Sequence, residues 1–349
     1  MSETATIISL RGSRAMHALI RFIGISAVAL SVFGLILLAA GKSPLSAYAD
    51  TFRNTLASAY GISELLVRMT PLLLAAVAVA LPARLGLINV GGEGQLYMGA
   101  FFASWGAFLF PNAPAWLLLP FVTLMGFLGG AMWAVIPGIL RARRLVNETV
   151  ATLLLNYVSP LIVSYFVFGP WRTTENSAYP ETGVYPDAAL LPSFFGTRVH
   201  AGLLISLAAL AVYWLDIEKT RWGLQMRAIG GNSGAARRLG IPVPFWIVTA
   251  MAIGGGFAGL AGMGEAMGIA GRLRESLSPG YGYTGFLIAW LAGGRPLGIL
   301  FMAFLFAIIT SAGDTLQISQ GLPYAAVNIL LAAILFVVLA RRPSAGTHP

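Results

Sequence analysis

The stretch GLINVGGEGQLYMG, residues 86–99, lies between apolar runs at 65–82 and 96–110 and is the least membrane-like sequence in the most apolar part of the chain. Gly86, Gly91, Gly92 and Gly94 fall close together here, and each opposes a continuous helix by about 1 kcal/mol relative to alanine. The backbone is therefore expected to be broken or unwound. Non-helical backbone at membrane depth survives only where protein or a water-filled cavity satisfies its N–H and C=O groups. Asn89, Glu93 and Gln95 add three polar side chains, and a charge near the bilayer centre costs about 2.5–3.5 kcal/mol on insertion scales. Two readings follow. One is a discontinuous helix lining a solute pathway, as in transporters with interrupted helices near the midplane; the other is a cytoplasmic turn between two spanning helices. Spacing alone does not choose between them.

Composition sets the class. Of 349 residues 57% are hydrophobic and 10% charged, with mean hydropathy +0.79, which excludes a soluble globular domain and indicates an all-α, polytopic membrane protein. The net charge of +9 is distributed as short basic clusters between apolar runs, the pattern of membrane orientation and not of a phosphate-binding face. With no cysteine, disulfides, Cys-ligated metals and thiol catalysis are excluded, and no cofactor is indicated. Gly41-Lys42-Ser43 lacks the glycine a phosphate loop needs five positions earlier, where Ile36 stands, so no ATP-binding loop is present.

Segments of spanning length, about 20 residues for a core of about 30 Å, give about ten crossings: 19–40, 65–82, 96–110, 115–140, 149–169, 200–215, 245–268, 283–291, 297–312 and 322–340. The whole chain then forms a single transmembrane domain, residues 1–349. Residues 1–18 form a cytoplasmic tail, 171–199 an external loop and 216–244 a cytoplasmic loop. The eighth segment is too short to span unless it begins in the preceding turn or is buried in protein. With both termini inside, most of the 22 Lys and Arg fall on the inner face, as the positive-inside rule favours. Gly126 and Gly130 make a small-xxx-small face, as do Gly255 with Gly259 and Gly264 with Gly268. The match of residues 254–259 to a dinucleotide-binding fingerprint lacks any strand context and is accidental. Pro71 is expected to kink the second span. Asn156 lies seven residues after Thr149, so both could face a lumen; gluing two helices together is the plainer role for Asn156.

The loop at 216–244 carries its own helix. Asn232 or Ser233 can cap residues 234–239, Gly240 can terminate them and Pro242 prevents continuation, while Arg237 and Arg238 in the last turn suit the helix dipole. A helix of about two turns is unstable alone in water. Either a partner holds it or it lies on its own bundle.

The stretches at 86–99, 147–157 (NETVATLLLNY), 227–241 (RAIGGNSGAARRLGI) and 280–298 (GYGYTGFLIAWLAGGRPLG) together resemble the permease subunits of bacterial ABC importers of the ribose/branched-chain amino acid superfamily, in its nucleoside and simple-sugar branch. The INxGGEGQ-like motif of that branch is kept by Asn89, Gly92, Glu93, Gly94 and Gln95, with Ile88 where many relatives have Phe. The resemblance implies a pair of permeases enclosing the pathway in a bacterial inner membrane, served by cytoplasmic ATPase subunits and an external binding protein. It assigns Asn89, Glu93, Gln95 and Asn156 to lining or supporting the pathway, and Gly91, Gly92 and Gly94 to the broken helix. It assigns Asn232, Ser233, Ala235, Arg237, Arg238, Leu239 and Gly240 to ATPase coupling. An ion-coupled secondary transporter or channel would share the spans and the break but need no ATPase. An intramembrane enzyme would need a catalytic cluster, and His17, His200 and His348 are too scattered to supply one.

Overall fold

The computed structural model describes residues 41–173 and 180–321, with isolated helical positions between 24 and 38 and at 329. The expected tail at 1–18, most of the first span, the tenth span and the basic pair Arg341 and Arg342 lie outside the described residues. Two compact units are distinguished, 63–308 and the pairing of 1–62 with 309–349. In the smaller unit, α1 (Pro44–Thr55) opens with proline in its first turn, where the missing N–H is no loss.

The larger unit holds most of α2 (Ala59–Ala83), then α3 (Gly92–Leu109), α4 (Ala115–Ala142), α5 (Glu148–Phe168), α6 (Gly202–Lys219), α7 (Arg221–Gly231), α8 (Ser233–Arg238), α9 (Val243–Glu265), α10 (Tyr281–Leu291) and the start of α11 (Pro296–Gln320). Among the described residues there is no β-sheet, and five helices are long and apolar enough to cross a membrane: α2, α4, α5, α9 with its extension to Ala270, and α11. The expected third, sixth and eighth spans are occupied by the shorter helices α3, α6 and α10. Helix α2 continues through Pro71 and Pro82. The eighth segment begins two residues earlier than expected, inside the turn, and buries Gly282, Gly285, Ile288 and Ala289 against protein.

Helix α9 is the core of this unit because its glycines remove every side chain that would keep neighbours away. A Cβ on Gly255 would lie 2.5 Å from the Gly130 carbonyl of α4, one on Gly259 2.2 Å from the Gly126 carbonyl, one on Gly262 1.9 Å from the Leu96 carbonyl of α3, and one on Gly254 2.6 Å from the Ala78 carbonyl of α2. Three helices thus approach α9 at backbone contact, the small-residue mode of membrane packing. After α9 the helix widens into a π-turn at Ala266–Ala270.

The connection between α5 and α6 is folded onto that end of α9. Thr182 and Tyr185 donate backbone N–H groups to Leu273 and Gly271, and Leu191 donates to Met267. Glu181 pairs with both Arg272 and Arg274. Tyr185 is buried, which pushes its hydroxyl pKa up and keeps it protonated to share a hydrogen bond with Ser104 at 2.6 Å.

Gly262→Ala places a methyl group into the Leu96 backbone and is expected to destabilise the protein by about 1–3 kcal/mol, the scale of overpacking. Gly183→Ala, in open space, should be neutral. Thermal unfolding in detergent separates the two; equal midpoints would contradict the packing described.

Candidate translocation site

Helix α2 ends at Ala83, and the chain turns through Gly86, whose φ of +76° is left-handed and suits glycine. Residues 87–90 are non-helical and α3 starts at Gly92. The interruption is therefore a turn followed by a short run that re-enters the protein before the helix resumes.

Buried polar side chains around this run hold it. Asn89 is fully buried, at 0% exposure. Its Oδ1 accepts from the Gly91 N–H (3.0 Å) and the Gln95 amide (3.0 Å), while its own amide donates to Gln95 Oε1 (3.2 Å) and the Ala78 carbonyl (3.4 Å). From α5, the Asn156 amide donates to the Val90 carbonyl (2.9 Å) and its Oδ1 accepts from the Gly94 N–H (2.8 Å). The Val90 N–H donates to the Thr152 hydroxyl (3.3 Å). The Ile88 N–H donates to Glu148 (3.4 Å), whose other oxygen pairs with Arg141 at 3.0 Å. Side chains thus stand in for the missing helical ladder, as a buried backbone requires. Asn156, not Thr149, takes the structural role on α5; it sits eight residues past Glu148, about 12 Å along the helix at 1.5 Å per residue.

The glycines act differently from the helix-breaking role expected of them. Gly91 is non-helical, but Gly92 and Gly94 lie within the first turn of α3. Gly94 is small because a Cβ would meet Ser159 Oγ at 2.8 Å and Asn156 Oδ1 at 3.0 Å. It admits α5.

Glu93 marks where two helices start. Its carboxylate accepts the Gly282 N–H at 2.7 Å and also draws on Ser278 and the Gly280 backbone. A Cβ on Gly282 would lie 2.1 Å from the Glu93 nitrogen, so the first turns of α3 and α10 are in backbone contact. Both N-termini place partial positive charge at this carboxylate. From here α3 runs to the turn before α4, and α10 runs back to the end of α2. There the Gly294 carbonyl accepts from Arg84 Nη2 (2.5 Å) and the Tyr213 hydroxyl (2.7 Å), and Arg84 Nε donates to that hydroxyl (3.0 Å). At 11 residues, α10 covers about 16 Å, roughly half a bilayer core.

Asn89, Glu93, Gln95 and Asn156 are thus brought together, all buried within this chain. The polar groups exposed beside them are Tyr157 of α5 (66%) and Tyr283 of α10 (40%), the latter hydrogen-bonded to the Asn156 side chain. Sequence reasoning gave neither tyrosine, nor Arg84 or Gly282, a role at the site; the signal was the pair of glycines flanking Tyr281 at the start of an isolated short apolar run.

The coupling-loop residues lie apart from this cluster. Asn232 Oδ1 accepts the Ala235 N–H at 2.9 Å, capping α8, and Gly240 follows at φ +80°. Of the two candidate caps it is Asn232, and α8 starts at Ser233. Helix α7, unforeseen, precedes it, capped by Thr220. Gly230 at its end packs on the break itself, since a Cβ there would be 2.3 Å from the Arg84 carbonyl.

Residues 61–339 match the model of the branched-chain amino acid transport system/permease component family. The chain belongs to this family of transport permeases. It is 36% identical to the glucose ABC transporter permease protein TsgB13 of Haloferax volcanii over 322 residues, 89% of this chain and 84% of that one. It is 32% identical to the guanosine ABC transporter permease protein NupP of Bacillus subtilis over 332 residues, 93% and 94% of the two chains. The fold is similar to PsaBC from Streptococcus pneumoniae, solved in complex with Fab, at TM-score 0.51 and 12% identity over 85% of this chain and 96% of that one. The protein is therefore a multi-pass membrane permease subunit of an ABC transporter and not an enzyme, ATP hydrolysis belonging to a separate subunit.

Asn156→Leu would leave the part-buried Val90 carbonyl and the buried Gly94 N–H without these partners, the latter at about 1–3 kcal/mol. Thr149→Val removes none of these bonds and should be neutral. Thermal unfolding in detergent checks this; a stability loss no larger for Asn156→Leu than for Thr149→Val would contradict the network's role.

Proposed function

We propose that this chain, paired with a second permease, forms the membrane pathway of an ATP-driven importer for a nucleoside or simple sugar delivered by an external binding protein. The observation that carries the reading is the contact between α7 and the interrupted segment: Gly230 sits against the Arg84 carbonyl, one turn of chain before Asn89. A push on the α7–α8 loop reaches the break directly. Arg84 passes it to α6 through Tyr213 and to the end of α10 through Gly294.

In this reading α8 is the coupling helix. Only Ala236 of its six residues is buried, Leu239 beyond it is 79% exposed, and Arg237 and Arg238 in its last turn are exposed, a surface suited to another protein. In this reading Arg84, Arg141, Arg143, Arg144, Arg237, Arg238 and Arg295 lie on the cytoplasmic side, as the positive-inside rule favours, and the chain runs with both termini on that side of a prokaryotic cytoplasmic membrane.

The four polar residues expected at the pathway act as its support. Tyr157 and Tyr283 touch the solute instead. Tyr157 lies near the middle of α5, where a lipid-facing tyrosine is uncommon because the residue favours the interfaces. A tyrosine pair offers an apolar face and two hydroxyls, which suits a sugar ring or a nucleoside. The relatives named for glucose and guanosine agree with that chemistry.

Affinity purification of the wild-type chain from its native membrane is expected to recover an ATPase subunit, and Arg237→Glu/Arg238→Glu should lose it. A clean homo-oligomer without ATPase, from membranes where uptake is active, would overturn the reading in favour of an ion-coupled transporter. In cells lacking the native gene, Tyr283→Leu should lower uptake of labelled guanosine or glucose at least tenfold while ATPase recovery stays intact. Unchanged uptake would remove Tyr283 from the pathway.

A further inference from the structure

A cavity of about 760 Å³ opens at the end of the bundle where α2 and α4 finish and α5 and α9 begin. It is lined by the turn at Leu85 to Leu87, the α4–α5 connection, the end of α7, the start of α8 and the start of α9. Its side chains include Arg141, Arg144 and Arg237 and no aspartate or glutamate. Arg141 is committed to Glu148 at 3.0 Å. Arg144 and Arg237 have no ion pair among the described residues, and both are exposed. The cavity therefore presents two uncompensated guanidinium groups from two different elements.

Arg144 is held there against its own backbone preference. Helix α4 ends with the Leu145 N–H bonded to the Leu140 carbonyl and the Arg144 N–H to the Arg141 carbonyl, the closing pattern whose left-handed position is usually glycine. Arg144 occupies it at φ +58°. A chain with 41 glycines uses arginine where glycine would relax the turn, and the guanidinium is what the substitution by glycine would lose. Beside it, Leu145 and Val146 are exposed apolar residues.

We infer that this cavity binds the phosphodiester headgroup of an anionic phospholipid, bridging Arg144 on the α4–α5 turn to Arg237 on α8. Charge complementarity selects an anion, because two free guanidiniums face a lining without acids and arginine binds phosphate oxygens bidentately. The level of the site selects a lipid. Four ends of membrane-length helices converge on it, which is where headgroups lie, and basic pockets between such helices bind anionic headgroups. Leu145 and Val146 give the glycerol and upper acyl carbons an apolar shelf. The bridge would stiffen α8 against the loop that leads into α5. That consequence rests on α8 being the coupling helix; the binding itself does not.

The test uses the full-length chain, purified in detergent with whatever subunits accompany it, titrated with phosphatidylglycerol or phosphatidylcholine and read by native mass spectrometry. Phosphatidylglycerol should bind at least tenfold more tightly than phosphatidylcholine. Arg144→Gln and Arg237→Gln should each weaken it about fivefold, the scale of one basic residue near an anionic surface, and Arg221→Gln, outside the cavity, should not. Arg144→Gly relaxes the turn, so its unfolding midpoint should match or exceed wild type while phosphatidylglycerol binding still falls. Equal binding of the two lipids, or an equal loss with Arg221→Gln, would overturn the site. Displacement of the lipid by millimolar inorganic phosphate would assign the cavity to a free anion and overturn the lipid. If an Arg144→Gln/Arg237→Gln double variant keeps phosphatidylglycerol binding but loses a co-purifying ATPase, the cavity is a protein seat and the lipid proposal is overturned. The co-purification is scored separately, so absence of an ATPase from the wild type counts against the importer reading while lipid selectivity still decides this one.

Discussion

The structure depends on one constraint: a peptide group taken out of water must find a partner, and after the N–H groups of residues 84–87 have bonded back to the end of α2, residues 88–91 have no helical ladder to give them one. The amides of Ile88, Val90, Gly91 and Gly94 are received by Glu148, Thr152, Asn89 and Asn156, and the Val90 carbonyl is met by Asn156. An unpaired backbone group costs about as much as a lost hydrogen bond with full desolvation. The polar side chains at this depth therefore cannot be exchanged for apolar ones, whatever passes through the protein. Their positions dictate which helices must be neighbours. Helix α5 has to lie against the break to deliver Thr152 and Asn156, and Gly94 has no side chain because α5 is there.

The second consequence is the meeting of α3 and α10. The Glu93 carboxyl, buried among apolar helices, takes the Gly282 N–H from the first turn of α10 and itself sits in the first turn of α3, where partial positive charge on N–H groups suits an acidic side chain. Gly282 lets those turns touch, and the shortness of α10 follows, since it starts part-way along the bundle and ends at the Arg84 and Tyr213 contact to Gly294. Interrupted helices meeting inside a bundle are a recurrent construction in membrane transport. In this protein the meeting point is linked by covalent chain to the turn on which the α7–α8 loop rests.

Much of this was legible in the residues because it is local. Helical character and membrane class follow from composition and run length. The cap at Asn232 and the stop at Gly240 follow from short-range rules that tertiary contacts did not override. The glycine faces made by Gly126 and Gly130 of α4 and by Gly255 and Gly259 of α9 pack as their spacing implies, whereas Gly264 and Gly268 face the His200 imidazole and not a helix backbone. What escaped was long-range. The partners of Asn89 and Asn156 are backbone groups in other elements, so spacing pointed to polar residues of importance but toward a lumen, not toward the Gly91 and Gly94 amides. Gly92 and Gly94 were read for their conformational freedom, yet they, like Gly282, matter for what approaches them. Helix α7 was hidden because Arg221 to Gly231 is polar and ends in two glycines, and its helical state comes from the Thr220 cap and burial of Met226 and Ile229.

The central claim is that the break between α2 and α3 moves with the α7–α8 loop. Hydrogen exchange of the assembled transporter, compared without nucleotide and with bound ATP, tests it most directly by following amide protection at residues 84–99 and 228–240 together. The account predicts that both segments change protection in parallel, with the Gly91 and Gly94 amides included, while the contact between α4 and α9 stays protected throughout. A change confined to residues 228–240, with 84–99 unaltered, would contradict it and reduce the break to a static support.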